Sequence, residues 1–302
     1  MRTLIPPNLS PNRLADVRGV KYRYRSLSDF LIANPLHADG QLDDGWGAPF
    51  PVKGREIDAT ILFSDISAFS ARTLDLSPVE TLAFVNNFFA WITAEALRPT
   101  HGIVDKYIGD ALMIVFSTEF GSEDPFVDAV QAARWMGEHD ALSFCPHIGI
   151  ASGPVIVGHV GTPLKYDASV FGAPVALAAR CANVSPDLDD NQFISSTITF
   201  PAAEWADRDF KEVIPPQLIR IPKEIRAEGE DEIEERPVPW TMLDPRTVPM
   251  KNLPDIEIRE IVDRSMHIPS TPAEDRAKEG IASLKAAGFY RPRRSEADHP
   301  TR

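Results

Sequence analysis

Between about Glu56 and Asp244 the apolar residues come in short blocks, and the spacing inside each block predicts its element. Asp58–Ser64 holds Ala59-Thr60-Ile61-Leu62-Phe63, a mostly apolar run that reads as a buried strand. Ser77-Pro78-Val79-Glu80 combines a capping box with proline at the first helical position. It predicts a helix to about Leu97, with Leu82, Val85, Phe89 and Ile92 near one face. Gly102–Tyr107 and Ala111–Ser117 flank Ile108-Gly109-Asp110, and two apolar strands around a Gly-Asp turn predict a hairpin. Asp124-Pro125 opens a helix to about His139. His147–Ser152 and Pro154–His159 read as two short strands, and Gly172 to about Ala182 as an alanine-rich helix. Gln192–Ser196 reads as a strand, and Ile219–Ile221 with Pro237–Leu243 as a closing pair. This order predicts an α+β fold: a ferredoxin-like antiparallel sheet with helices on one face, extended at its C-terminal end.

The flanks differ. Residues 1–55 are rich in Pro, Gly and Asp, with one amphipathic piece at Leu27–Ala33, and read as an N-terminal arm. Residues 56–244 form the folded domain. Within it the acidic run Glu224–Arg236 reads as a solvated hairpin tip or a disordered loop. Residues 245–302 are polar and charged, a tail expected to be partly disordered or to strap across a partner surface. No internal repeat is evident.

Composition narrows the function. A chain of 302 residues can bury one large core with extensions. A net charge of −13 argues against binding nucleic acid or an anionic membrane, so a nucleotide site needs a local cluster of bases. Cys145 and Cys181 show no CxxC spacing and sit in apolar settings, as reduced core thiols of a cytoplasmic protein would. The first residues lack a signal-peptide pattern and no apolar run is long enough to span a bilayer, so no membrane anchor is expected. His101, His139, His147 and His159 lack metal-ligand spacing and read as structural.

The candidate chemistry centres on two carboxylates. Asp65, in Phe63-Ser64-Asp65-Ile66-Ser67-Ala68-Phe69-Ser70, follows a buried strand. Asp110, in Asp105-Lys106-Tyr107-Ile108-Gly109-Asp110-Ala111, sits in the hairpin turn. Paired carboxylates at strand ends suit divalent metals against a triphosphate. Backbone N–H groups of Ile66, Ser67, Ala68 and Phe69 at a helix start would suit phosphate. Read alone, Asp65 is equally an N-cap and Asp110 ordinary turn chemistry. Arg180 suits a phosphate or a surface salt bridge. Lys106 suits a base contact or a solvated strand face.

In this order the segments resemble the catalytic domain of class III nucleotidyl cyclases. Besides the two aspartate motifs, His147-Ile148-Gly149-Ile150-Ala151-Ser152-Gly153-Pro154-Val155 is similar to the family's central strand-turn-strand, and Val170 to Arg180 to its transition-state helix. The resemblance runs from about Ile57 to Leu243. It implies a nucleotidyl cyclase, a phosphorus–oxygen lyase that converts a nucleoside triphosphate to a 3′,5′-cyclic nucleotide and pyrophosphate. It implies two Mg²⁺ or Mn²⁺ ions held by Asp65, Ile66 and Asp110, and a head-to-tail homodimer with shared sites. The partner protomer then brings Lys106 and Ser169 to the base and Arg180 to the phosphates.

Two positions depart from the family. Ala176 stands where a ribose-orienting Asn is usual, and Asn183 lies too far along the helix to replace it. Ser169 stands where adenine-selective members carry Asp or Thr, and Lys106 with Ser169 rules against guanine. With no sensor domain expected, the chain resembles the pyrimidine cyclases of bacterial antiphage defence, with UTP first, ATP next, and a separate cyclic-nucleotide effector. An adenylate cyclase, or a weakly active nucleotide-binding dimer motivated by Ala176, are the alternatives. Lys223 with Arg220 corresponds to a late phosphate-binding lysine of the family.

Overall fold

The computed structural model describes residues 23–43, 49–96, 100–138, 144–162, 165–185, 196–206, 208–215, 218–222, 233–237, 240–251, 253–263, 278, 281–282 and 285–286. Its centre is a sheet in the order β10-β12-β7-β5-β2-β4-β3. The strands on this path are β2 (Pro49–Asp65), β3 (Ile103–Ile108), β4 (Ala111–Phe116), β5 (His147–Thr162), β7 (Thr197–Pro201), β10 (Trp240–Met242) and β12 (Ile256–Asp263). Three more strands attach: β1 (Ala38–Asp43) to β2, β6 (Lys165–Phe171) to β5, and β11 (Arg246–Val248) to β12. All pairings are antiparallel except β5 with β7. The expected α+β fold with a mostly antiparallel sheet is what forms.

The period of two in the strands divides the core. Leu112, Ile114 and Phe116 on β4 face one cluster, and Met113 and Val115 the other. The first cluster is covered by α3 (Pro78–Ala96) and α4 (Pro125–Glu138). The second is covered by α1 (Leu27–Ala33) and α5 (Ala173–Ala182). Helices therefore lie on both faces, not one as expected, because the alternating strands bury apolar residues on each side.

The N-terminal arm belongs to this packing. Leu27, Phe30 and Leu31 of α1 are buried, and Phe30 meets Tyr24 and Phe120 edge-on. Arg55 ties α1 to the sheet, donating to the Pro35 carbonyl and to Glu119 Oε1, each at 3.0 Å. The sheet also crosses the expected boundary at residue 55, since β1 and the first third of β2 precede it.

Several element expectations change. The capping box forms, with Ser77 N–H donating to Glu80 and Glu80 N–H to Ser77 Oγ. The buried stripe of α3 is Phe84, Phe88 and Ile92, while Leu82 is exposed. That helix is apolar around most of its girth, so periodicity alone does not select its inner face. The two short strands expected at 147–159 are one strand, β5, paired along most of its length with β2. The strand expected at Gln192–Ser196 lies at Thr197–Pro201; residues 192–195 fall outside the described residues.

The closing pair separates. β8 (Leu218–Pro222) pairs with β9 (Ile233–Pro237) in its own two-stranded sheet, and β10 joins β12. The acidic run is thus strand in its last residues; Glu224 to Glu232, and Lys223, lie outside the described residues. The expected tail is also no tail at first. β12 lies between β10 and β7, with Ile258, Ile261 and Val262 fully buried and Glu260 bound by Arg246 Nε at 2.8 Å.

α2 (Phe69–Thr73) and α6 (Phe210–Val213) are short helical turns. Among the described residues no helix is long and apolar enough to cross a membrane. Cys145 and Cys181 are both free and buried, and burial pushes the Cys181 thiol up to about 12.

Candidate active site

Asp65 is the last residue of β2, a strand held on both edges by β4 and β5. Ser64 pairs with Leu112, which puts Asp65 level with Ala111 and next to Asp110. The turn that carries Asp110 depends on Gly109, whose φ of 64° is cheap only for glycine. So the register of the β2–β4 pair brings together two carboxylates that are far apart in sequence.

Their electrostatics are unfavourable as they stand. Burial first, and then the charge of Asp110, push the Asp65 carboxyl up to about 7. Burial raises Asp110 as well. Among the described residues Asp65 Oδ1 is buried and has no hydrogen-bond partner. A buried orphan carboxylate oxygen beside a second carboxylate is what a divalent cation satisfies, so the pair fits the metal role. Among the described residues no cluster of three or more His, Cys, Asp or Glu gathers here; further ligands would be backbone carbonyls or substrate oxygens.

The segment after Asp65 differs from the expected helix start. α2 begins only at Phe69, and its N-cap is Ala68, in the left-handed region at φ 51°. Asp65 is therefore not an N-cap. The Ile66 side chain is buried in the core, so Ile66 is available to a ligand only through its backbone. Ser67 is held by Arg72, which donates from Nε to the Ser67 carbonyl at 2.7 Å and from Nη2 to its hydroxyl at 3.3 Å. His147 pairs with Asp65 across β5, and burial with the charge of Arg72 lowers its pKa. Sequence reasoning missed Arg72, because a buried arginine in a short helix has no distinctive pattern.

The base-side residues meet from opposite edges of the sheet. β3 and β6 have β4, β2 and β5 between them in strand order. Yet Lys106 Nζ on β3 donates to Ser169 Oγ on β6, so the sheet curls until these edges touch. Ser169 Oγ donates to Asp105 Oδ2 at 3.0 Å, and Lys106 Nζ lies 3.3 Å from the same oxygen. The exposed Phe171 ring lies 6.0 Å from Lys106 Nζ. Asp105 had no place in the sequence reading.

Arg180 lies in the last turn of α5, half-buried, and among the described residues its guanidinium has no partner. α5 sits hard against β5 at Gly149, where a Cβ would stand 2.0 Å from the Ala178 carbonyl oxygen. That contact fixes the helix that carries Arg180. Ala176, one turn earlier, is exposed. Asn183 is the C-cap and donates to the Ala179 carbonyl at 2.7 Å, so it is used locally.

Residues 52–189 match the adenylate and guanylate cyclase catalytic domain. The match covers Asp65, Asp110, Lys106, Ser169 and Arg180. An uncharacterized protein of Mycobacterium tuberculosis is 29% identical over 154 residues, 50% of this chain and 28% of that protein. An adenylate cyclase of Anabaena cylindrica is 26% identical over 203 residues, 61% of this chain and 38% of that protein. The chain thus spans well under half the length of these curated relatives. Among solved structures, the adenylyl cyclase CyaB of P. aeruginosa shares the fold. It superposes with a TM-score of 0.50 at 18% identity, over 71% of this chain and 98% of that one.

Proposed function

We propose that the chain is a nucleotidyl cyclase acting as a homodimer with shared sites. The observation that carries this reading is the Asp65–Asp110 pair, buried, mutually repulsive and with an orphaned oxygen, inside the cyclase-like segment. In this reading the ribose 3′-oxygen attacks the α-phosphorus in line and pyrophosphate leaves. Asp65, Asp110 and the Ile66 carbonyl would hold two Mg²⁺ or Mn²⁺ ions, which would supply positive charge near the 3′-oxygen and the triphosphate. The backbone of Ser67, Ala68 and Phe69 lines the phosphate side. Arg180 of the other protomer binds charge that develops on the phosphates, since its fork has no internal partner. Exposed Tyr107 and Ile108 at the β3–β4 turn, and Val160 and Tyr166 on the β5–β6 arm, support a second copy as the missing cover.

The finer reading names the base and setting. Lys106 donates to a carbonyl oxygen of uracil, making the substrate UTP and the product a signal for a separate effector in antiphage defence. The departures at Ser169 and Ala176 support it, and the buried reduced thiols support a cytoplasmic setting. Adenylate cyclase is the alternative, because the same lysine can donate to a ring nitrogen of adenine. Exposed Ala176, with no side chain to orient the ribose, favours one further reading: a nucleotide-binding dimer of weak activity. Incubating the protein with all four ribonucleoside triphosphates and Mn²⁺, and resolving products by mass, tests these together. A cyclic nucleotide from UTP fits the finer reading. Cyclic AMP alone overturns the pyrimidine assignment, and no cyclic product at all overturns the enzyme.

A further inference from the structure

β3 is irregular at one residue. Val104 pairs with Ile114 and Lys106 with Met113, so Asp105 is the extra residue of a β-bulge. In a regular strand the side chains of Asp105 and Lys106 would point to opposite faces. A bulge re-aims them, and here both reach one hydroxyl, that of Ser169.

Counting protons shows what this does. The Ser169 hydroxyl has one proton, committed to Asp105 Oδ2 at 3.0 Å. Its oxygen accepts from Lys106. The ammonium has three protons: one is on Ser169, and a second faces Asp105 Oδ2 at 3.3 Å. One N–H is left over. The Asp105 side chain is 1% exposed and Ser169 is buried, so a ligand reaches neither. The Lys106 side chain is 39% exposed and stands beside the open ring of Phe171.

We propose that Asp105 and Ser169 are positioning residues that fix the Lys106 ammonium, so that its one remaining N–H meets a hydrogen-bond acceptor on the nucleobase, with the Phe171 ring as the adjacent wall. Ser169 then acts through Lys106 and does not touch the base. The gain is preorganisation: the flexible lysine is held before the nucleotide arrives. This inference rests on the nucleotide-binding reading above.

The test is equilibrium binding of non-cyclisable α,β-methylene analogues of the four triphosphates to the full chain with Mn²⁺, by calorimetry. Ser169→Ala should weaken binding of the preferred analogue about tenfold and compress the spread among the four. Ser169→Thr, which keeps the hydroxyl, should restore both. Asp105→Asn should match Ser169→Ala, and the double variant should agree with either single variant within about twofold. An unchanged spread in Ser169→Ala, or additive losses in the double variant, overturns the proposal. If Asp105→Asn does not fold, the Ala and Thr variants at Ser169 decide it. Wild-type protein that binds the analogues but forms no cyclic product from the four natural triphosphates sinks the cyclase reading and leaves this one standing. Wild-type protein that binds no analogue overturns both.

Discussion

The two ends of the candidate site are built on opposite plans. At the Asp65–Asp110 end the groups repel each other, and one oxygen is buried without a partner. At the Lys106–Ser169 end, an acid, a hydroxyl and a base are already joined by hydrogen bonds through Asp105 Oδ2, although among the described residues Asp105 Oδ1 is also buried without a partner. The first end is incomplete without an added cation. The second is cross-linked before a ligand arrives and presents a single aimed donor. Chemistry that must gather charge belongs at the first, and recognition that must be the same for every substrate molecule belongs at the second.

The largest effect should come from the incomplete end. Asp65→Ala or Asp110→Ala should abolish turnover at saturating Mn²⁺ while circular dichroism and dimerisation stay normal, since neither removes core volume. Retained activity in either variant would break the contrast, because that end would then hold no metal.

Arg180→Ala comes next. A transition-state arginine is worth roughly a thousandfold or more in turnover, and the loss should fall on kcat with KM little changed. Mixing Asp65→Ala with Arg180→Ala protomers should restore activity, because each mixed dimer has one intact site. No recovery despite subunit exchange would rule out shared sites.

At the Lys106–Ser169 end the effect should be smaller and of another kind. Lys106→Ala removes a charge-assisted hydrogen bond worth about 1.5–3 kcal/mol, roughly ten- to a hundredfold. It should raise KM and blur discrimination among triphosphates. If it lowered kcat alone, the recognition role would be lost.

The smallest effect sharpens the contrast without substrate. The folded-state pKa of Asp65 lies above its ordinary 3.8, at about 7. A raised carboxyl means that the native state binds protons more tightly than the unfolded chain does. Its contribution to stability is therefore full below about pH 4 and fades as pH rises to about 7. In metal-free buffer the melting temperature should carry that downward slope, and Asp65→Asn should flatten it. An identical slope in the variant would show that Asp65 is not the strained group.

Much of this was legible in the sequence. Asp65 and Asp110 were legible only as a pair, each beside its own apolar strand; alone each reads as cap or turn chemistry. The Lys106 and Ser169 positions followed from the resemblance, and the fold brings the two side chains together. Asp105 was invisible because a bulge is a matter of register between two strands, and no local pattern marks it. The inner face of α3 was misread because Leu82, Phe84, Val85 and Phe88 are all apolar. The C-terminal boundary was misplaced for a related reason. Ile256-Glu257-Ile258-Arg259-Glu260-Ile261 carries three charges in six residues, and its inner place is compatible with them because the buried Glu260 is paired with the partly exposed Arg246.

That strand governs how the protein is made. β12 pairs with β7 on one edge and β10 on the other. Until residue 263 has cleared the ribosome, Ile198 and Phe200 of β7 belong to an open edge. A nascent chain that has finished all of residues 52–189, with every candidate site residue already synthesised, still lacks the strand that seals its sheet. Emergence of residues 256–263, not of the catalytic motifs, is then the moment at which this edge of the sheet closes, and chains stalled short of that point should be the ones that aggregate.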